Sequence, residues 1–195
     1  MITALPRRRV VQLLTGLVLV ALAVTAAVWW VGYQRSVQVT ASTGVPQCQG
    51  TTPRTLDGES DPGDADVGIP LRKGFTCRVR IRVVNWGDHD VVLDRVTVPI
   101  GGTEAGGGFH VLDIDGQPVA DGDIDATADL DLPLEPGTTV IEIGLAFQPS
   151  GCVDVGGGEQ PYPTIEVASL LASHGVMVGD FPVLLGTKDS TCPSE

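Results

Sequence analysis

From Val10 to Val31 the chain runs 22 residues without a charge, and this stretch constrains the fold more than anything after it. As a helix rising 1.5 Å per residue it would reach about 33 Å, enough to cross the hydrocarbon core of a bilayer. Its only polar side chains are Gln12, Thr15 and Thr25. Arg7, Arg8 and Arg9 precede it, and Trp29, Trp30, Tyr33 and Arg35 close it. The positive-inside rule assigns the arginines to the cytoplasmic flank, and the aromatic residues fit the outer interfacial belt. The expected layout is a cytoplasmic tail over 1–9, a transmembrane helix over 10–31, and a juxtamembrane segment with the first strand over 32–42. Everything beyond would lie outside the cytoplasm, on a single-pass protein of the cell membrane.

A cleavable signal peptide competes for the same segment. Its hydrophobic region usually spans about 7–15 residues and ends at an Ala-x-Ala-like site. Ala21-Leu22-Ala23 fits that pattern, but it sits inside the apolar run with Val24 to Val31 still to come. Length and the aromatic belt favour an uncleaved anchor. Twin-arginine export is a poorer fit, because Val10, Val11 and Gln12 follow the arginines. Every one of these readings exports the rest of the chain.

Charge and cysteine agree with export. From Ser36 onward there are 8 basic and 24 acidic residues, a net charge of −16. So acidic a segment repels nucleic acid and anionic headgroups, and its carboxylates keep it soluble. All four cysteines (Cys48, Cys77, Cys152, Cys192) lie in this part. An even number in an oxidising compartment predicts two disulfides. Cys-x-x-Cys and Cys/His ligand spacings are missing, which argues against zinc. Ten arginines against two lysines, with abundant Gly, Ala, Val and Asp, suit a high-GC bacterial source.

Residues 43–74 are rich in Gly, Pro, Asp and Thr and read as a loop-rich segment. Residues 75–195 read as one β domain. In Phe75 to Asn85, Phe75, Cys77, Val79, Ile81 and Val83 alternate with Thr76, Arg78, Arg80, Arg82 and Val84, giving a period-two strand with a three-arginine outer face. Asn85-Trp86-Gly87-Asp88 supplies a turn, and Val91 to Ile100 returns. Further strands are expected at Phe109 to Ile114, Thr138 to Phe147, Thr164 to Ala172 and Val176 to Leu185, with an opening strand at Ser36 to Thr40. Pro133 to Gly137 reads as a turn. The predicted fold class is all-β, an antiparallel sandwich preceded by a single transmembrane helix.

Strand, Asn-x-Gly-Asp turn, returning strand, the Asp113-x-Asp115-Gly116 step, then Leu134-Glu135-Pro136-Gly137 before a strand ending near Phe147 is a recognisable layout. Over about 75–147 the chain resembles the immunoglobulin-like, telokin-like β-sandwiches of secreted and membrane-anchored bacterial envelope proteins. The resemblance implies a sandwich fold and export. It carries over no catalytic residue, since the shared motifs are turns. With strands running as in such sandwiches, the cysteines gather at one pole, away from the membrane. Cys48–Cys77 and Cys152–Cys192 are the expected bridges, each worth about 3–4 kcal/mol in the chain-entropy model; Cys77–Cys152 stays open.

Candidate chemistry is sparse. His89, His110 and His174 fall in no metal or triad spacing and read as ordinary solvated histidines. The glycines of 101–108 and 156–158 lack the strand-to-helix setting of a phosphate cradle. Seven aspartates lie between Asp113 and Asp131: Asp113, Asp115, Asp121, Asp123, Asp125, Asp129 and Asp131. Calcium takes six to eight oxygen ligands, which such a loop can supply. Asp121-x-Asp123-x-Asp125 begins like an EF-hand loop, but Ala126 replaces the turn glycine and Leu132 the bidentate Glu. An exposed edge strand whose charges block pairing explains the same pattern. The arginine ladder Arg78, Arg80, Arg82 either pairs with the domain's own carboxylates or receives an acidic partner, and Trp86 is expected to cap the core. The resulting expectation is a non-enzymatic binding or scaffolding module tied to the bilayer. Its partner would be an envelope protein or polymer. It needs no cofactor, and the second reading is a calcium or small-ligand binder using Asp113, Asp115, Asp121, Asp123 and Asp125.

Overall fold

The computed structural model describes residues 7–56, 67–119 and 124–191. Among the described residues one helix precedes fourteen strands. Helix α1 spans Arg7–Ser36, and β1 Val39–Thr43, β2 Gln47–Gln49, β3 Arg54–Thr55 and β4 Val67–Pro70 follow. The middle of the chain forms β5 Thr76–Asn85, β6 Val91–Val98, β7 Phe109–Ile114, the two-residue β8 Gln117–Pro118, β9 Ala126–Leu134 and β10 Gly137–Phe147. The chain closes with β11 Gly158–Glu159, β12 Thr164–Ser169, β13 Ala172–Met177 and β14 Val183–Leu185.

Two antiparallel sheets carry the domain. The first runs β1-β5-β10-β7-β8, and the second runs β13-β12-β6-β9. Because side chains alternate along a strand, β5 buries Cys77, Val79, Ile81 and Val83 while its arginines face out. From the second sheet Leu93, Val96, Ile165 and Val167 join the same core, with Phe75, Phe109 and Phe181 filling it. A small third sheet, β11-β14-β4-β3, lines one side. Its β14–β4 pair is parallel, with Val183 opposite Gly68, whereas the other pairs among the described residues are antiparallel.

β1 and β2 share one edge of β5 as a strand interrupted at Gly44–Pro46. Val39 pairs with Asn85 at one end, Cys48 faces Cys77 at the other, and Gly44 donates its N–H to the Arg80 carbonyl at 2.8 Å between them. The Cys48–Cys77 disulfide therefore joins directly opposed residues, with Cα atoms 4.1 Å apart, at the end of β5 remote from α1. Eight residues of strand separate it from Asn85, about 26 Å. Cys152 reaches the same remote end, since its N–H bonds the Gly106 carbonyl and nearby Gln148 bonds Gly108. Cys152 is disulfide-bonded too. Its expected partner, Cys192, lies outside the described residues.

Several element boundaries differ from the sequence reading. The segment 43–74 carries three short strands, β2 to β4, because their partners are supplied by β5 and β14 rather than by their own periodicity. The helix continues to Ser36, so the first strand starts at Val39. The last hairpin turns at Leu170–Leu171, with Ser169 opposite Ala172, which splits the expected Thr164–Ala172 strand at its end. β9 runs through Pro133 to Leu134, where proline is tolerated because β9 is an edge strand.

Candidate functional site

Within α1, Leu14–Ser36 is long and apolar enough to cross a membrane, with a mean hydropathy of 2.2 over its apolar window. Its polar side chains are handled locally; Thr25 Oγ1 donates to the Ala21 carbonyl at 3.0 Å, as helical threonines in apolar surroundings do. Most of the helix is exposed, but Val28 is half-buried and Gly32 and Ser36 are buried. That four-residue spacing is one helical face. It packs on the β12–β13 hairpin. A Cβ at Gly32 would stand 2.2 Å from the Ser169 carbonyl oxygen and 3.3 Å from the Ala172 Cβ, so only glycine permits this approach. The next residue, Tyr33, meets His174 edge-on at 6.0 Å and stacks on Trp29 at 5.7 Å, with Trp30 at 6.3 Å. Ser36 donates its hydroxyl to the Tyr33 carbonyl at 2.9 Å and closes the helix. Just two residues, Val37 and Gln38, then separate α1 from β1. Trp29, Trp30 and Tyr33 are thus one aromatic cluster at the docked end, whereas the side chains of Arg7, Arg8 and Arg9 are not described. His174 is therefore not the plain solvated histidine that its sequence context predicts. Its aromatic contact depends on the fold bringing β13 to α1, which no local pattern announces.

The other turns near Asn85 sit at this same end. Asn85 Nδ2 donates to the His89 carbonyl at 2.9 Å and the Leu134 carbonyl at 3.2 Å, while its Oδ1 accepts from Gly87 N–H at 3.0 Å. His89 bonds Asp88, which holds the Asp88 carboxyl below its usual range; Arg35 adds a smaller pull in the same direction. Trp86 does not cap the core. It is 73% exposed, and its indole N–H donates to Thr40 Oγ1 at 2.9 Å.

The arginine ladder resolves unevenly. Arg78 pairs with Asp113, and Arg80 Nε bonds Glu142 Oε1 at 2.7 Å. Both pairs cross the outer face of the first sheet. The Arg78 pair depends on two local devices. Leu112 is an extra residue in β7 opposite Gly144 and Leu145, a bulge that turns Asp113 outward. Gly144 leaves the space, since a Cβ there would come 2.7 Å from Asp113 Oδ2 and 2.9 Å from Arg78 Nη1. Arg82 makes no ion pair among the described residues. With Ser42, Thr43, Gly44, Arg80 and Val140 it lines a shallow depression of about 320 Å³. Such a surface offers a cation, hydroxyls and an exposed valine to an acidic or polar partner.

Where it is described, the acidic segment forms a tight turn and part of an edge strand. Asp115 and Gly116 both have positive φ, 51° and 78°, the signature of an Asp-Gly type I′ turn between β7 and β8. Asp113 accepts from Gly116 N–H at 3.3 Å in addition to Arg78. Asp125 Oδ1 accepts from the Ile100 N–H at 3.0 Å. Asp129 pairs with Arg95 at 2.7 Å on the exposed edge strand β9. Asp121 and Asp123 lie outside the described residues. No cluster of three or more metal-binding side chains occurs among the described residues.

No family model matches the chain, and no curated protein does. Among solved structures it is similar to a structural-genomics target, SoR45 of the Northeast Structural Genomics Consortium, at 10% identity and a TM-score of 0.40, covering 82% of this chain and 95% of that one. A likeness at that score carries no argument about fold or function.

Proposed function

We propose that this chain is a single-pass membrane protein whose α1 spans the bilayer with Arg7, Arg8 and Arg9 on the cytoplasmic side. It holds an immunoglobulin-like β domain outside as a binding or scaffolding module of the cell envelope. The observation that carries this reading is the continuity of α1 with the domain. One helix presents an exposed apolar length that needs lipid, while its last turns are packed on β12 and β13. An anchor joined in this way presents the domain in a fixed attitude, which suits docking a partner and gains nothing for a freely diffusing ligand binder. Two facing sheets, the Asp-Gly hairpin and the disulfide-tied remote end fit the immunoglobulin-like description and an oxidising compartment. The partner surface is the outer face of the first sheet around Arg82, with acidic or hydroxyl-rich groups as the matching chemistry.

Cross-linking in intact cells, followed by mild-detergent purification and mass spectrometry, tests the module. A specific envelope protein should be recovered in quantity, and Arg82→Glu should reduce its recovery while the domain stays folded. Purification of the chain as a lone monomer, unchanged by Arg82→Glu, would contradict the reading.

A further inference from the structure

The tip of the β12–β13 hairpin is hard to explain in water. Leu170 and Leu171 form its two-residue turn and are 58% and 61% exposed. Leu170 has φ of 53°, a left-handed conformation that costs a leucine roughly 1 kcal/mol and that turns normally give to glycine or asparagine. The tip thus combines a conformational cost with exposed apolar surface. It also has a defined place. Ser169 and Ala172, the residues flanking it, lie against Gly32 of α1. Val28, one turn nearer the apolar span, is the next residue on the docked face and is half-buried.

The direction of the hairpin follows from its neighbours. β1 leaves α1 at Val39 and ends at Thr43, whose N–H and hydroxyl bond Asp180 at 2.8 and 3.1 Å. β13 leads from Ala172 toward Asp180, so Met177 lies away from the helix and Leu170–Leu171 lies beside it. A hydrocarbon core takes about 20 helical residues, which from Val10 places its boundary near Trp29. The hairpin tip, alongside Val28 to Gly32, is at that level. Its charge fits as well. From Val167 to Val178 there is no acidic or basic residue, His174 apart, in a domain otherwise dense in carboxylates.

We infer that Leu170 and Leu171 insert into the outer interface of the bilayer beside α1, making the hairpin a second, apolar membrane contact that seats the domain on the lipid surface. The inference rests on the proposed span. Lipid covers the leucines, the Trp29–Trp30–Tyr33 cluster lies in the same layer, and the contact is insensitive to salt because it involves no ion pair.

The test uses the full chain in phosphatidylcholine vesicles. Since no described cysteine is free, a single introduced cysteine carries an environment-sensitive fluorophore at Leu171→Cys, Met177→Cys or Leu19→Cys. All three positions are exposed in the protein, so labelling leaves the core intact. Blue-shifted emission at position 171, strongly quenched by nitroxides near the lipid headgroups, with water-like emission at 177, is the expected result. Water-like emission at 171 while position 19 is quenched by deep nitroxides would overturn the hairpin contact and leave the span standing. Water-like emission at both 19 and 171 would overturn the span and the inference together. Blue-shifted emission at 171 that lipid nitroxides do not quench would show a protein partner there, and would overturn the lipid contact.

Discussion

Asn85 is 3% exposed and ties three segments together through the Gly87 N–H and the His89 and Leu134 carbonyls. Replacing it with alanine leaves those groups without their buried partner, at about 1–3 kcal/mol for the donors and acceptors stranded. Asn85→Ala should therefore lower the denaturant midpoint of the domain with an unchanged slope, measured by chemical denaturation. Glu159 poses the opposite problem. Burial alone pushes its carboxyl above the usual range, and its Oε2 has no hydrogen-bond partner among the described residues. The folded chain then holds this proton at a pH where the unfolded chain has lost it. Stability from this group is greatest below the ordinary carboxylate range and falls as pH rises through the folded-state value. Glu159→Gln should raise Tm at pH 7, and the gap to the parent should close on acidification, as read by melting curves across pH. A constant gap would assign the gain to packing instead.

At the scale of elements, the α1–hairpin junction leaves no room for a side chain at Gly32. Gly32→Leu drives a side chain into the Ser169 carbonyl, and overpacking of this kind costs about 1–3 kcal/mol. Hydrogen exchange should quicken across 169–174 while the central strands β5 and β10 stay protected. Unaltered exchange in the hairpin would mean that the helix does not dock there. This junction also marks what the sequence left unsaid. β5 was legible because one face is wholly buried and the other charged, which is the strongest form of period-two alternation. The turn after β7 was legible because Asp-Gly has a backbone reason to be there. By contrast, β2 to β4 are at most four residues long and exist through pairing with distant strands. The Leu170–Leu171 turn lacks any turn-forming residue. Gly32 carries no local signal of its role, which depends on a carbonyl 137 positions away. The split of the arginine ladder was likewise hidden. Sequence shows three arginines on one face, but the bulge at Leu112 and the gap at Gly144 are what let Arg78 pair with Asp113, while Arg82 makes no ion pair among the described residues.

For the whole molecule, two ends have separate roles. The remote end is closed by Cys48–Cys77, a loop of 29 residues for which the chain-entropy model gives about 3–4 kcal/mol. The other gathers the helix, the Asn85 turn and the leucine hairpin. Under the proposed topology that end faces lipid and the arginine face stands free beside it. Impermeant thiol labelling of Val155→Cys, an exposed position toward the remote end, tests this arrangement in intact cells, with alkaline carbonate washing of the membranes in parallel. The proposed topology predicts labelling without permeabilisation and a chain that stays with the washed membranes. Labelling only after lysis, or release of the chain by carbonate, would contradict it.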